Sequence, residues 1–297
     1  MNINNLADKY YLSNDFNTLA DKTKVDYKYC FSILLSTEVD GKSMAGISLT
    51  KMTGAIARRA YEEWLGRGIY LANAVTAVSR KMYSFGMEMG YAETNPFSTF
   101  KRKTPHSRNT MWQKEQVVQF LDVAYSDFKY RNIGLIVQMA YEWCQRVGDM
   151  RMLQFTTIDF DKSVLNLQQS KRRSIVHLPI SLDLLEMLKQ QKEEYDFQPY
   201  VAPYPTAKRG VYSPYTMQRL SKVARRVMDL GKLPDTLRIS DLRRTGTIEM
   251  VEAGVSMGQI MSVTGHANPQ SVKPYMKNTY ASAENALTLR NNHGKSK

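Results

Sequence analysis

Apolar positions recur at helical spacing along most of the chain and alternate in only one short stretch. From Thr23 to Leu35, Val25, Tyr29, Phe31, Ile33 and Leu34 fall on a helical stripe, which Val39-Asp40-Gly41-Lys42 then breaks. Ser48 or Thr50 stands where a cap belongs for a helix through Leu65, whose apolar face holds Ile56, Ala60 and Trp64 and which Gly66 and Gly68 end. A third long helix is predicted from Ala72 to Met89, with Val75, Val78, Met82 and Phe85 on one side. Glu93-Thr94-Asn95-Pro96 closes the region, because proline disfavours helix in the residue before it. Residues 15–95 therefore read as mostly helical, and a small helical domain is expected over 1–100.

After a polar, proline-containing linker at 101–111, two further helices are predicted, Gln113 to Tyr125 and Asn132 to Cys144. The second is apolar nearly all round (Ile133, Leu135, Ile136, Val137, Met139, Ala140) and belongs in a core. Val164 to Gln168 and Ile175 to Leu178 change to strand patterning around Gln169-Ser170-Lys171-Arg172-Arg173-Ser174, which reads as a β-hairpin with a basic tip. Helix follows from Ser181 to Lys192, a loop from Phe197 to Gly210, and a basic helix from Tyr212 to Asp229. Ala281 to Leu289 is a last helical stretch. The class is mainly α with a small β-sheet, and the second domain is expected over 112–297.

Composition changes this picture only through charge. At 297 residues and 43% hydrophobic, with mean hydropathy −0.43, the chain has the profile of a globular protein with room for two cores. Its 41 Lys+Arg against 28 Asp+Glu give +13, a balance that favours a polyanionic partner. Arg58, Arg59, Arg80 and Lys81 lie off the apolar faces, and Lys101, Arg102 and Lys103 crowd the linker, so these seven are candidate phosphate contacts. Cys30 and Cys144 match no metal-ligand spacing and read as free thiols of a reducing cytoplasm. The N-terminus lacks a secretory pattern, and no run reaches the ~18 apolar residues of a membrane span, so no membrane is expected.

Chemistry concentrates between Leu237 and Met276. Arg243 sits on a predicted helix, Gly265-His266 follows, and Tyr275 lies nine positions past the histidine. An arginine, an imidazole and a phenol in that order point to a tyrosine that attacks a phosphodiester while the other two hold the phosphoryl oxygens. A competing reading takes Ala253 to Lys273 as a helix-turn-helix in a major groove. It accounts for the glycine and the charge, but leaves Arg243, Tyr275 and a second arginine, Arg146 at the end of the buried helix, as coincidences.

The stretch LRISDLRRTGTIEMVEAGVSMGQIMSVTGHANPQSVKPYM resembles the C-terminal box of the tyrosine recombinases (phage integrases), in which LRRT, an A-G-V segment, a G-H pair and a downstream tyrosine recur in this order. CQRVGDMRMLQFTTIDFD resembles the family's arginine, two residues, then an acid, ahead of a strand ending Ile-Asp, and MEMGYAETNPF looks like the end of its core-binding domain. The resemblance implies a helical core-binding domain and a mixed α/β catalytic domain, without a separate arm-binding domain. By the same likeness Tyr275 is the nucleophile, Arg146, Arg243 and His266 hold the phosphate, Lys171 on the hairpin is the general acid, and Asp149 supports Arg146. Arg172 and Arg173 become DNA contacts. Ser240 departs from the pattern, standing where the family carries histidine; it reads either as a helix N-cap or as a hydroxyl that donates to the phosphate. Tyr280 lies five residues off the family spacing, so Tyr275 is preferred.

The implied reaction joins DNA to the enzyme through a 3′-phosphotyrosine and needs no metal or cofactor. Its implied partners are double-stranded attachment sites, a homo-tetramer on two duplexes and an accessory directionality factor, in the cytoplasm of a bacterial host of a phage or mobile element. Dimer resolution, a type IB-like topoisomerase and a DNA-binding protein that has lost catalysis are the alternatives.

Overall fold

The computed structural model describes residues 1–106, 108–276 and 280–295, with the backbone alone at 280–282, 289 and 293–295. It divides into two compact units, Met1–Arg108 and Asn109–Lys297.

The first unit is built on five helices: α1 (Ile3–Tyr11), α2 (Asn14–Asn17), α3 (Asp21–Ser36), α4 (Gly54–Gly66) and α5 (Ile69–Glu88). The opening helix α1 escaped the pattern reading. The Asn2 side chain caps it by accepting from Asn5 N at 2.9 Å, and it buries Ile3, Leu6, Ala7 and Tyr10 at helical spacing. The break after α3 is a two-stranded hairpin, β1 (Glu38–Val39) and β2 (Lys42–Ser43), turned by Asp40 and Gly41 at φ 52° and 71°. The cap of α4 is Thr53, accepting from Ile56 N at 3.3 Å; Ser48 instead precedes, and Thr50 lies within, a separate single turn, Leu49–Lys51. The expected stripe of α5 is buried as Val75, Val78, Met82 and Phe85. Residues beyond Pro96 stay with this unit. Tyr61 Oη accepts from Lys103 N at 2.7 Å and Asn73 Nδ2 donates to Lys103 O at 2.8 Å, so the basic stretch 101–106 is tied to the helices.

The second unit packs α6 (Lys114–Tyr125) and α7 (Phe128–Glu142) against a three-stranded antiparallel sheet and the later helices. All positions of α7 from Asn132 to Ala140 are buried, as its all-round apolar pattern predicts. The sheet runs β3 (Ile158–Asp159), β4 (Val164–Gln168), β5 (Ile175–Pro179) in that order. Val164 pairs with Pro179 and Gln168 with Ile175, so Leu165, Leu167, Val176 and Leu178 face the core. The short α8 (Val147–Met150) follows α7, and α9 (Leu182–Tyr195) is capped by Ser181. α10 (Met217–Leu230) begins five residues later than its periodicity indicated. Pro214 keeps the preceding residues extended, and Thr216 is the cap.

α11 (Leu242–Glu252) and α12 (Met257–Thr264) then bring the chain back across the end of α7. Between Ala253 and Lys273 there is one eight-residue helix followed by single turns, so the second helix of a helix-turn-helix is not there. The final helix α13 (Tyr280–Lys295) carries the stretch read as helical from Ala281. Among the described residues no helix is long and apolar enough to cross a membrane, and both cysteines are buried free thiols.

Candidate active site

Four chain segments meet at the end of α7. Arg146 stands at the N-cap of α8, Gln169 and Ser170 open the β4–β5 tip, Arg243 lies in the first turn of α11, and Thr264-Gly265-His266 ends α12. Two glycines make the approach possible. A Cβ on Gly246, one turn after Arg243, would meet Cys144 Sγ at 2.4 Å, so glycine lets α11 lie against the end of α7. Gly265 is left-handed at φ 67°, and a Cβ there would meet Gln169 Nε2 at 2.7 Å and Val176 Cγ1 at 3.0 Å. That left-handed residue turns the chain out of α12 and aims His266 back at Arg243.

A buried chain of amides binds these pieces together. Gln169 Nε2 donates to Gln145 Oε1 at 2.6 Å and to Thr264 O at 2.8 Å, while Gln169 Oε1 accepts from Arg146 Nη1 at 3.0 Å. Gln145 Nε2 donates to Trp143 O at 2.8 Å and Val263 O at 2.7 Å. Arg243 Nη2 donates to Thr264 O at 2.6 Å, and its Nη1 stands 3.5 Å from Gln145 Oε1. Asp149 is buried beside Arg146, with Oδ2 at 3.8 Å from Nη1, and its Oδ1 accepts from Ser170 N and Oγ at 3.2 and 2.5 Å. The acid expected to support Arg146 therefore also fixes the hairpin tip.

Arg243 is 8% exposed and, among the described residues, has no carboxylate within ion-pair distance. Burial and the charge of Arg146 push its guanidinium down to about 10, so it remains charged at neutral pH. His266 is equally buried, and its hydrogen bonds fix its tautomer. Thr264 Oγ1 donates to Ile260 O at 2.7 Å, so the 2.7 Å contact to His266 Nδ1 has the imidazole as donor. Nε2 is left with its lone pair, facing Arg243 Nη2 at 3.4 Å. Burial, then Arg243, Arg146 and Arg172, push the imidazole down to about 4. It is neutral at physiological pH.

Tyr275 ends the single turn Lys273–Tyr275. Its ring centre is 6.1 Å from that of His266, and the Arg244 guanidinium lies 5.9 Å from the ring. The Tyr280 side chain falls outside the described residues. Lys171 is exposed on the hairpin tip with no hydrogen bond or ion pair among the described residues, next to the anchored Ser170. Arg172 reaches Ser271 Oγ at 3.1 Å, and Arg173 turns the tip at φ 57°.

Ser240 does not cap α11. It is exposed in the middle of the turn Ile239–Asp241, makes no hydrogen bond among the described residues, and lines a cavity of about 440 Å³ beside Val147, Met217 and Arg238. Asp241 is the boundary residue of α11 instead, and its Oδ2 accepts from Arg238 N at 3.1 Å.

The basic residues of the first unit are less free than their spacing implied. Arg80 donates twice to Phe97 O, at 3.1 and 2.6 Å, which makes it a structural tie. Arg58 pairs with Glu62 at 2.8 Å, Arg59 with Asp40 at 2.8 Å and Lys81 with Asp15 at 3.1 Å. Lys101, Arg102 and Lys103 are exposed around a cavity of about 570 Å³, although Arg102 donates to Asn73 O at 3.1 Å.

Sequence reasoning passed over Gln145, Gln169 and Thr264. Their one signal was polarity at the mouths of apolar elements, in CQR, QSK and TGH.

The model of the phage integrase family matches residues 111–282. Among solved structures, a Tn1549 transposon integrase in complex with circular intermediate DNA aligns with TM-score 0.77 and 14% identity, over 97% of this chain and 99% of that one. A lambda integrase dimer bound to a COC′ core site aligns at 0.74 and 16%, over 94% and 78%. A lambda integrase tetramer bound to a Holliday junction gives the same values, 0.74, 16%, 94% and 78%. At such identities the likeness is one of fold. No curated protein sequence matches the chain.

Proposed function

The chain belongs to the phage integrase family and is a site-specific tyrosine recombinase, and from that premise we propose that it cuts and rejoins DNA through a 3′-phosphotyrosine on Tyr275. The observation that carries the proposal is Arg243, a buried cation held by neutral acceptors with no carboxylate within ion-pair distance among the described residues. An unpaired buried charge is costly, and the natural occupant of such a site is an anion. Arg146, linked to the same amide chain, offers the second guanidinium fork to a phosphodiester.

Attack by the phenol needs the Tyr275 proton to leave. His266 Nε2 carries the imidazole's lone pair, which faces Arg243 Nη2, and is the acceptor once that guanidinium turns to the phosphate; once protonated, the imidazolium donates to a nonbridging oxygen. The Tyr275 oxygen bonds to phosphorus, the bond to the 5′ oxygen breaks, and that oxygen takes a proton from Lys171. The developing charge is met by Arg146, Arg243 and His266, a preorganised set of the kind that dominates acyl and phosphoryl transfer. A 5′ hydroxyl from the partner strand then reverses the step, so the phosphoester energy is retained.

The reaction integrates or excises a phage or mobile element in a bacterial cell. Double-stranded attachment sites are the substrate, with the exposed cations Lys101, Lys103, Arg172 and Arg173 against the backbone. Four protomers act on two duplexes, and α13 docks on a neighbour; the lambda integrase tetramer on a Holliday junction supports this stoichiometry. An accessory factor sets direction. The unengaged Ser240 favours the second reading, a DNA-binding protein that has lost cleavage. Covalent capture from a randomised library of nicked duplexes, in EDTA, separates the two. Recovered protein–DNA adducts sharing one sequence are expected, whereas specific binding without any adduct selects the second reading.

A further inference from the structure

Gln145 and Gln169 are fully buried, and their four amide atoms face partners that permit only one orientation. Gln169 Nε2 meets two oxygens, from Gln145 and Thr264, so its Oε1 must be the atom facing Arg146. Gln145 Nε2 likewise meets two carbonyls, so its Oε1 faces Gln169 and Arg243. The two amides thus run as a bridge from one guanidinium to the other, through segments that lie 24 positions apart in sequence.

The chemistry of the bridge is selective. A carboxylate at either position would hold an arginine equally well but would neutralise it and compete with the phosphate. An apolar side chain would leave the guanidinium charged but unheld. An amide oxygen does what neither can: it accepts the hydrogen bond and leaves the full charge available.

We propose that Gln145 and Gln169 are positioning residues that hold Arg146 and Arg243 together for one phosphodiester without adding negative charge between them, Asp149 beside Arg146 being the one carboxylate within ion-pair distance of either among the described residues. This rests on the reading of the two arginines as phosphate ligands. The bridge also ties the catalytic arginines to the hairpin that carries Lys171, because Gln169 is joined through Ser170 to Asp149 and the tip. A displaced Gln169 therefore moves three groups together.

Single-turnover cleavage at saturating DNA tests it with two variants and two substrates. Gln169→Glu adds a negative charge and loses the two Nε2 donor bonds; Gln169→Met keeps the length, adds no charge and loses all of the amide's hydrogen bonds. The substrates are a nicked duplex with an ordinary scissile phosphodiester and the same duplex with a neutral methylphosphonate. Both variants lose the bonds to Gln145 and Thr264 and slow on both substrates. Gln169→Glu, however, is expected to lose about 10–100-fold more on the phosphodiester than on the methylphosphonate, less than the roughly 10²–10³-fold of a donor removed outright. Gln169→Met is expected to lose rate on both substrates alike. A Gln169→Glu variant that matches wild type on the phosphodiester, or that loses equally on both substrates, overturns the proposal. Wild-type protein that gives no adduct on the phosphodiester removes the underlying reading of the arginines, and the bridge's role with it.

Discussion

Gly265→Ala isolates how the site is assembled. The glycine is left-handed at φ 67°, a conformation that costs an L residue roughly 1–2 kcal/mol. The new Cβ would also stand 2.7 Å from Gln169 Nε2, 2.9 Å from its Cδ and 3.0 Å from Val176 Cγ1. Gln169 cannot give way, because its amide is held by Gln145, Thr264 and Arg146. Overpacking of that kind costs roughly 1–3 kcal/mol. The sum is about 2–5 kcal/mol of stability, read as a fall in the urea midpoint of the full chain at unchanged slope. Cleavage should fall further than stability alone explains, since the displaced amide carries Arg146 with it. Gly265→Asn should recover only the backbone part, because asparagine tolerates the left-handed region but keeps the Cβ. An alanine variant within about 0.5 kcal/mol of wild type, with normal cleavage, would refute the proposed close approach.

Three further outcomes follow from the same geometry. Changing Arg146 or Arg243 to alanine should lower single-turnover cleavage by about 10²–10³-fold, with near-normal cleavage by either variant counting against the clamp. Ser240→Ala should lose less than Arg243→Ala, since the exposed Ser240 side chain makes no hydrogen bond among the described residues, and Ser240→His should be tolerated or faster; a Ser240→His variant that alone forms adducts would mark the natural protein as inactivated. His266 holds its neutral form down to about pH 4 against an ordinary 6.5, so the unfolded chain binds the extra proton between those values. Stability from this residue is full above pH 6.5 and is lost as pH falls towards 4; urea unfolding should show a smaller acid loss in His266→Gln, and equal losses would contradict the buried neutral imidazole.

Much of the second unit was legible because its signals are local. The all-round apolar α7 and the alternating β4–β5 hairpin declare themselves in a few consecutive residues; the hairpin formed where periodicity placed it, and α7 did so over Asn132 to Glu142, beginning four residues earlier at Phe128. Helix starts were less legible. Ser48, Thr50 and Thr53 are all good caps, and only packing chooses Thr53; Pro214 sets the start of α10 against its periodicity. α1 was missed because its four buried residues are diluted by Asn, Asp and Lys. At the site, the order of arginine, lysine, arginine, histidine and tyrosine could be read along the chain. The amide bridge could not, because Gln169 meets Thr264 across 95 positions and nothing local marks either as buried. Arg80 misled for the same reason, its true partner being a carbonyl 17 residues away.

The most direct measurement is the position of the covalent bond. Wild-type protein captured on a nicked attachment-site duplex, digested with protease and nuclease, should yield one nucleotide-modified peptide, with the phosphate on Tyr275 and a free 5′ hydroxyl on the released strand. Tyr275→Phe should bind the same duplex and give no adduct. An adduct on Tyr280, or one that persists in Tyr275→Phe, would contradict the assignment of the nucleophile.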